Sequence, residues 1–308
     1  QIRYNYLRSN GYPKSKKLGD GSSILPMNTM YKYFNYLKTY LRIFFESHNQ
    51  SLKIKEQNYI SKILEKQPDS LLKFGFKVYS QGHEDGVLEE IFRRLNIEKP
   101  NFIEIGCGNG VENNTHYLLL KGSKGIWIDS DKKNIKFIRR ELNNFLQSNK
   151  LMVLNKFVDS NNIPEIVSIS KKFLDISNID LVSVDVDGND FYILKSLVVN
   201  NILPKVIVTE YNSKFPHNLK FVPKLNTKPW KNDDYMGASL LSIQQLLSNH
   251  YCLVACTHTG VNAFFILNEY KDLFQNLDIE ELWLPPNYEF TKVRQGSTST
   301  LKNLNDKN

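Results

Sequence analysis

The sequence predicts an α/β fold: a doubly wound, mostly parallel β-sheet that ends in an antiparallel hairpin and is preceded by a helical extension. Three observations lead to this prediction. From Tyr79 onwards, short apolar segments typical of buried strands alternate with segments whose apolar residues recur at helical spacing. A glycine or an acidic residue follows five of these strands. A short turn at 257–261 joins the last two strands, which is the pattern of a hairpin.

The remaining elements follow from the same patterns. Glu84 and Asp85 favour the start of a helix because acidic residues complement the helix dipole, and Pro164 suits the first turn of another helix. A long polar stretch at 212–237 predicts a functional loop. The predicted strands are 102–105, 125–129, 151–158, 181–187, 206–211, 251–256 and 262–267, and the predicted helices are 84–95, 135–146, 164–173, 191–199 and 240–247.

We expect three parts along the chain: an N-terminal arm and helical extension at 1–74, the main domain at 75–295 and a polar tail at 296–308. The extension begins with a polar, irregular arm that carries a basic patch. Helical spacing then predicts one amphipathic helix and a second around Tyr59, which Pro68 ends. The first helix has two interpretations: contact with a membrane surface or a partner, or docking on the main domain.

Length, charge and cysteines limit the class of protein. The 308 residues suffice for one large domain with an appendage, and no apolar run approaches the roughly 18 residues of a membrane-spanning helix. The net charge of +8 suits an anionic partner, such as a phosphate-bearing glycan, a nucleotide-sugar or a membrane surface. We do not expect nucleic acid, because no known binding motif is present. Three cysteines do not make a disulfide framework, which favours the cytoplasm, including the inner membrane surface.

The stretch at 101–110 (NFIEIGCGNG) has the strongest functional pattern. Its apolar residues predict a short buried strand, and Gly106 and Gly108 let the backbone approach a ligand because no Cβ stands in the way. A dinucleotide fingerprint would need a third glycine at position 111, which is Val111. The pattern is therefore E-x-G-x-G-x-G, beginning at Glu104, and a nicotinamide cofactor is disfavoured.

Acidic residues follow the next strands. Asp129 lies 25 residues after Glu104, at the end of the second strand, where a carboxylate can hold a ribose diol. The alternative is that Asp129 caps the following helix, and the two roles are compatible. Asp159, Asp185 and Glu210 follow or end later strands, so the sequence predicts a row of carboxylates along one edge of the sheet.

Several strings together resemble the FkbM-like methyltransferases, a group within the class I S-adenosylmethionine (SAM)-dependent methyltransferases. They are SQGHED at 80–85, SVDVDGND at 183–190, EYN at 210–212, DYMGAS at 234–239 and GVNAFF at 260–265. The resemblance covers about residues 78–295. It implies a Rossmann-like class I methyltransferase fold, SAM as the cofactor and O-methylation of a sugar, glycan or glycoside hydroxyl.

The resemblance also implies a set of cofactor-binding residues. Glu104 and the motif glycines would lie along the methionine end of SAM, Asp129 would take the ribose hydroxyls and Asp159 would reach the adenine amino group. Gln81 and Asp85 would close the cofactor pocket from the N-terminal side. The full set is Gln81, Asp85, Glu104, Gly106, Gly108, Asp129 and Asp159.

An alcohol is a poor nucleophile at neutral pH, so the reaction needs a base or a divalent metal that acidifies the hydroxyl. Asp185 and Asp187 stand two apart, so both face one way in an extended chain, and Glu210 ends the neighbouring strand. Mg²⁺ or Mn²⁺ would relieve the repulsion among the three carboxylates. The alternative is that Asp187 and Asp190 cap the next helix while Asp185 binds the substrate directly.

Candidate bases are His116 and His258, each in a loop near the expected ligand edge, and Asp190, for which capping is the preferred interpretation. The leading hypothesis is a sugar or glycan O-methyltransferase. The alternatives are an RNA methyltransferase that uses the basic arm, and a non-catalytic scaffold with a methyltransferase fold. The sequence does not name the acceptor or the oligomeric state.

Overall fold

The computed structural model describes residues 27–225 and 236–293. The predicted basic arm and polar tail lie outside these residues, as does part of the predicted long loop. The helices are α1 (Met27–Lys66), α2 (Glu84–Arg94), α3 (His116–Leu120), α4 (Lys132–Glu141), α5 (Asn143–Gln147), α6 (Ile163–Leu174), α7 (Asp190–Val199), α8 (Leu240–Leu247) and α9 (Ile279–Leu282). The strands are β1 (Phe102–Ile105), β2 (Gly125–Asp129), β3 (Leu151–Asn155), β4 (Leu181–Val184), β5 (Val206–Glu210), β6 (Tyr251–Cys256) and β7 (Asn262–Leu267).

The seven strands form one sheet in the order β3-β2-β1-β4-β5-β7-β6. Strands β1 to β5 are parallel, and β7 lies antiparallel between β5 and β6. Parallel neighbours need crossover connections, and the helices between them supply these. The topology confirms the predicted fold, including the hairpin, and it places the carboxyl ends of β1, β4 and β5 next to one another.

Helices cover both faces of the sheet because its residues point alternately to two apolar layers. In β2, Ile126 and Ile128 pack in one layer with residues of α6, α7 and α8. Trp127 packs in the other layer with residues of α2, α3, α4 and α5. All three side chains are fully buried, and burying each contributes roughly 1.5–3 kcal/mol. The packed sheet therefore gives the loops at its carboxyl edge a rigid base.

Five predicted elements differ clearly from the structure. The two predicted N-terminal helices are one helix, α1, of 40 residues, because its sequence contains no glycine or proline that would end it earlier. The predicted helix at 135–146 is divided into α4 and α5 at Leu142, whose φ of −114° departs from helical values. The predicted strands at 151–158 and 181–187 end earlier, at Asn155 and Val184.

The contacts divide the chain into two compact units, with the boundary after Ile54. In the first unit, α1 exposes many apolar side chains: Tyr31, Phe34, Tyr36, Leu37, Tyr40, Leu41, Ile43, Phe44 and Phe45. Among the described residues, no helix combines the length and the apolar character that crossing a membrane requires. Contact of α1 with a surface or partner stays a prediction, as do the predicted domain boundaries.

Candidate active site

The glycine loop after β1 takes its shape from close contacts. A Cβ on Gly106 would lie 1.6 Å from the Asp185 carbonyl oxygen, and a Cβ on Gly110 would lie 2.6 Å from the ring of Trp127. Both glycines have positive φ, as does Gly108 at +56°. A Cβ on Gly108 would meet nothing within 4 Å, so this glycine faces open space. The loop is thus packed at two glycines and accessible to a ligand at the third.

Glu104 supports the loop from inside the protein. Its carboxylate accepts hydrogen bonds from the Asn114 backbone N, at 2.8 Å, and from the Thr115 hydroxyl. Trp127 Nε1 in turn donates to Thr115 Oγ1 at 2.8 Å. Burial raises the pKa of Glu104 to about 7. These contacts fix the segment after the glycines, and the position beside the cofactor that the resemblance implied stays a prediction.

Asp129 joins the end of β2 to the glycine loop. Its Oδ2 accepts a hydrogen bond from the Gly108 backbone N at 2.9 Å, and its Oδ1 accepts one from the Asp131 backbone N at 2.7 Å. The N-cap of α4 is Asp131, whose side chain accepts from the Lys133 backbone N. Capping therefore falls to Asp131, and Asp129 lies beside the open glycine, as a ribose-binding carboxylate would.

The other predicted cofactor residues have structural partners. Asp159 accepts hydrogen bonds from two backbone N–H groups in the turn before α6. Asp85 Oδ2 accepts hydrogen bonds from three, including Val78 N at 2.6 Å and Tyr79 N at 2.8 Å. Burial raises the pKa of Asp85 to about 6. Gln81 is partly exposed, and its carbonyl oxygen accepts a hydrogen bond from a lysine ammonium. Asp85 thus organises the loop before α2.

Three carboxylates meet at the carboxyl ends of β4 and β5. Asp185, Asp187 and Glu210, which we call the acidic edge, each place one carboxylate oxygen within 4.8 Å of the others. Burial, followed by repulsion from neighbouring acidic side chains, raises the pKa of Asp185 and of Glu210 well above the ordinary values. The acidic edge therefore has the high negative charge density that a cation would relieve.

The acidic edge is present as the sequence predicted, but the predicted reason, an extended chain over Asp185 and Asp187, was wrong. Strand β4 ends at Val184, and Asp187 has a φ of +53°, so the chain at this point is a turn and is not extended. Asp190 closes the turn: its carboxylate accepts hydrogen bonds from Val186 N at 2.9 Å and Gly188 N at 3.1 Å. The turn, held by Asp190, brings the acidic edge together. The predicted capping role is therefore wrong, since Asn189 is the N-cap of α7 and Asp190, its first residue, holds the preceding turn.

His116 is buried next to the glycine loop, and it is the first residue of α3 and not a loop residue as predicted. Its ring stacks on Tyr79 with a centroid separation of 3.7 Å, and its Nδ1 lies 2.6 Å from the Gly110 carbonyl oxygen. Its backbone N donates a hydrogen bond to Asn113 Oδ1 at 2.9 Å. These contacts make His116 a support of the loop, and its role as a base stays a prediction.

His258 lies in the turn between β6 and β7 and is fully buried. Its Nε2 is 2.8 Å from Glu56 Oε1, and its ring centroid is 4.6 Å from that of His83. The sequence did not predict this grouping, because Glu56 lies in a helix of the extension and His83 lies in a loop. Only the tertiary fold brings these distant positions together.

Comparison with known protein families found one match. The profile of a family described as the methyltransferase FkbM domain matches residues 45–228. No curated protein matches the chain.

Several solved structures resemble the fold. The bifunctional kinase-methyltransferase WbdD is 15% identical with a TM-score of 0.36, and the alignment covers 58% of this chain and 37% of that one, little more than a third of its length. A SAM-dependent methyltransferase from Aquifex aeolicus is 12% identical with a TM-score of 0.35, covering 68% of this chain and 97% of that one. The pyocyanin biosynthetic protein PhzM is 14% identical with a TM-score of 0.36, covering 58% and 53% respectively.

Proposed function

The chain belongs to the FkbM methyltransferase family, and we propose that it is a SAM-dependent O-methyltransferase acting on a hydroxyl of a sugar, glycan or glycoside. One observation carries the proposal. The Gly106 backbone lies directly against the Asp185 carbonyl, so the glycine loop and the acidic edge adjoin at one edge of the sheet. A cofactor pocket and a cluster of reactive carboxylates that adjoin are what methyl transfer to a hydroxyl requires.

The residues around Gly108 fit SAM. The open side of this glycine leaves room for the cofactor against the backbone, and the adjacent Asp129 carboxylate is partly exposed. We assign the ribose hydroxyls to Asp129 and the methionine end to the loop at Gly106 and Gly108. Bound SAM supplies an electrophilic methyl group, and the protein contributes by holding the acceptor oxygen in line with it.

The acidic edge fits a divalent cation. Glu210 Oε2 is buried and has no hydrogen-bond partner among the described residues, and a buried carboxylate oxygen without a partner is costly. We propose that Asp185, Asp187 and Glu210 hold Mg²⁺ or Mn²⁺, which prefer oxygen ligands. A bound ion would lower the pKa of the acceptor hydroxyl and so make its oxygen a better nucleophile. Asp185, whose own pKa is raised, would accept the proton if no ion is bound.

Calorimetric titration of S-adenosylhomocysteine tests the cofactor assignment. Asp129→Ala should weaken binding by roughly 100-fold, because two hydrogen bonds to a charged acceptor are worth about 3 kcal/mol. Asp131→Ala is the matched control, since it removes a carboxylate two residues away that caps α4. Equal affinities in the two variants would remove the ribose role from Asp129.

The same titration with Mg²⁺ and then with EDTA separates the cofactor from the metal. A higher affinity with Mg²⁺ that Asp187→Asn abolishes would support the acidic edge as a metal site. Transfer of labelled methyl to sugar or glycan acceptors, measured beside RNA at low salt, tests the acceptor class. Absence of S-adenosylhomocysteine binding in both conditions would overturn the enzyme proposal in favour of a non-catalytic scaffold.

A further inference from the structure

We propose that Glu56, His83 and His258 bind a divalent transition-metal ion, and that this ion is Zn²⁺. The three residues, which we call the histidine cluster, come from α1, from the residue before α2 and from the turn between β6 and β7. None of them belongs to the acidic edge. The site would therefore be separate from the proposed methyl-transfer site and would not depend on it.

Three ligand atoms converge in the histidine cluster. One atom from each residue lies within 4.8 Å of the other two. His258 Nε2 is 2.8 Å from Glu56 Oε1, and His83 Nε2 is 3.6 Å from the same oxygen. Tetrahedral Zn²⁺, with bonds of about 2.0–2.2 Å, holds its ligands roughly 3.4 Å apart. The two separations from Glu56 Oε1 lie on either side of this spacing.

The donor atoms select the class of ion. Two imidazoles and one carboxylate are a ligand set that Zn²⁺ commonly takes, and they leave a fourth position open. Hard cations such as Mg²⁺ and Ca²⁺ prefer oxygen ligands throughout. The histidine cluster should thus favour a transition metal, whereas the all-oxygen acidic edge should favour Mg²⁺ or Mn²⁺.

Burial adds a reason for a cation at this position. Glu56 is 3% exposed and His258 is fully buried, so a carboxylate is held away from water between two imidazoles. Lys77, a cation in the surrounding structure, donates its hydrogen bonds to the backbone carbonyls of Gln81, Thr291 and Val293. A metal ion coordinated by Glu56 would compensate the carboxylate charge directly.

The backbone of His83 adopts an unfavourable conformation that directs its side chain into the histidine cluster. His83 has a φ of +71°, in the left-handed region, which costs a non-glycine residue on the order of 1 kcal/mol. The preceding Gly82 packs so closely on the hairpin turn that a Cβ there would lie 2.7 Å from Thr259 Oγ1. The loop is thus pressed onto the turn, and the left-handed residue points its imidazole at His258 and Glu56.

Metal titration of the full chain after EDTA treatment and dialysis tests the proposal. We expect the wild type to bind one equivalent of Zn²⁺ by calorimetry, to give tetrahedral Co²⁺ absorption bands, and to unfold at a higher temperature with Zn²⁺ than with EDTA. His83→Asn keeps a residue that tolerates left-handed backbone. It should weaken Zn²⁺ binding by roughly 100-fold. His250→Ala removes a histidine outside the cluster and should bind as the wild type does.

Two results would overturn the proposal. One is a wild type that binds no Zn²⁺, or no more tightly than His83→Asn binds it. The other is Zn²⁺ binding that His83→Asn retains but Asp187→Asn loses, which would place the ion at the acidic edge. Should His83→Asn fail to fold, Glu56→Gln replaces it in the same comparison, because the amide preserves the shape of the side chain and removes the anionic ligand.

Discussion

At the acidic edge, three carboxylates meet where parallel strands end, and Asp187 among them is exposed. The histidine cluster instead places one carboxylate between two imidazoles, with Glu56 and His258 buried inside the protein. Both arrangements bring together three side chains that could bind a metal. They differ in what surrounds each carboxylate: other carboxylates at the acidic edge, and two imidazoles in the histidine cluster.

That difference has opposite consequences for stability. At the acidic edge each carboxylate opposes the others, so the fold holds them together at a cost and a ligand can recover it. In the histidine cluster His258 Nε2 lies within hydrogen-bond distance of Glu56 Oε1, at 2.8 Å, so one ring nitrogen stabilises the carboxylate even without an ion. Substituting one carboxylate in each region therefore tests the comparison, because the free energy of unfolding should rise in one case and fall in the other.

The largest expected effect is that of Glu56→Ala. Removing the carboxylate leaves the buried His258 ring nitrogen without its partner, so we expect the free energy of unfolding to fall by about 2 to 3 kcal/mol. Urea denaturation in EDTA measures this loss in the free energy of unfolding without any contribution from a bound metal. Glu46→Ala is the matched control on the same helix, because Glu46 forms an exposed ion pair with Arg42 that should contribute little. Equal losses in the two variants would contradict a stabilising role for the histidine cluster.

The second prediction concerns pH. Asp185 and Glu210 have pKa values well above the ordinary 3.8 and 4.5, so the folded protein keeps protons that the unfolded chain releases. Stability is therefore full below these ordinary values and falls as the pH rises through the raised ones, by up to about 1.4 kcal/mol per pH unit for each group. Urea denaturation from pH 4 to 8 in EDTA measures this loss.

Asp185→Asn removes one of the two groups and should make the decline shallower, and Mg²⁺ should reduce it in the wild type by binding the folded state. Asp69→Asn, at an exposed position, is the control. A decline that is as steep in Asp185→Asn as in the wild type would show that the acidic edge does not carry the repulsion described here.

The two regions also differ in how far the sequence predicts them. Asp129, Asp185 and Glu210 follow short apolar segments, and the carboxyl ends of parallel strands necessarily share one edge, so their proximity follows from periodicity alone. Glu56 and His83 are joined only by the docking of the second part of α1 and of a loop on the hairpin. No local pattern encodes such docking, and the histidine cluster therefore cannot be predicted from the sequence.

Loop residues show the same limit within the active site. The sequence predicted the glycine loop, but not that Glu104 would hold it through Asn114 and Thr115. It placed Asp187 on an extended strand, whereas a left-handed turn closed by Asp190 sets its position. Strand ends can be predicted from apolar periodicity, whereas the hydrogen bonds that shape the following turns depend on side chains from other elements.

The smallest and sharpest prediction is that Glu210→Gln stabilises the protein. The amide keeps the size of the side chain and cannot ionise, whereas unfolding at pH 7 lets Glu210 release the proton that the folded protein retains. In EDTA the free energy of unfolding should therefore rise by about 1 kcal/mol, the equivalent of somewhat less than one pKa unit. Glu56→Gln in the histidine cluster should lower it, because an amide oxygen is a weaker hydrogen-bond acceptor for His258 Nε2 than a carboxylate. Urea denaturation of both variants, with the exposed Glu280→Gln as the control, measures whether each substitution raises or lowers the free energy of unfolding.

With Mg²⁺ the gain of Glu210→Gln should disappear, because the wild type then binds the ion that its third carboxylate helps to hold. A destabilised Glu210→Gln in EDTA would mean that Glu210 is paired with a positive or hydrogen-bonding group, and the acidic edge would then be a structural network and not a cation site.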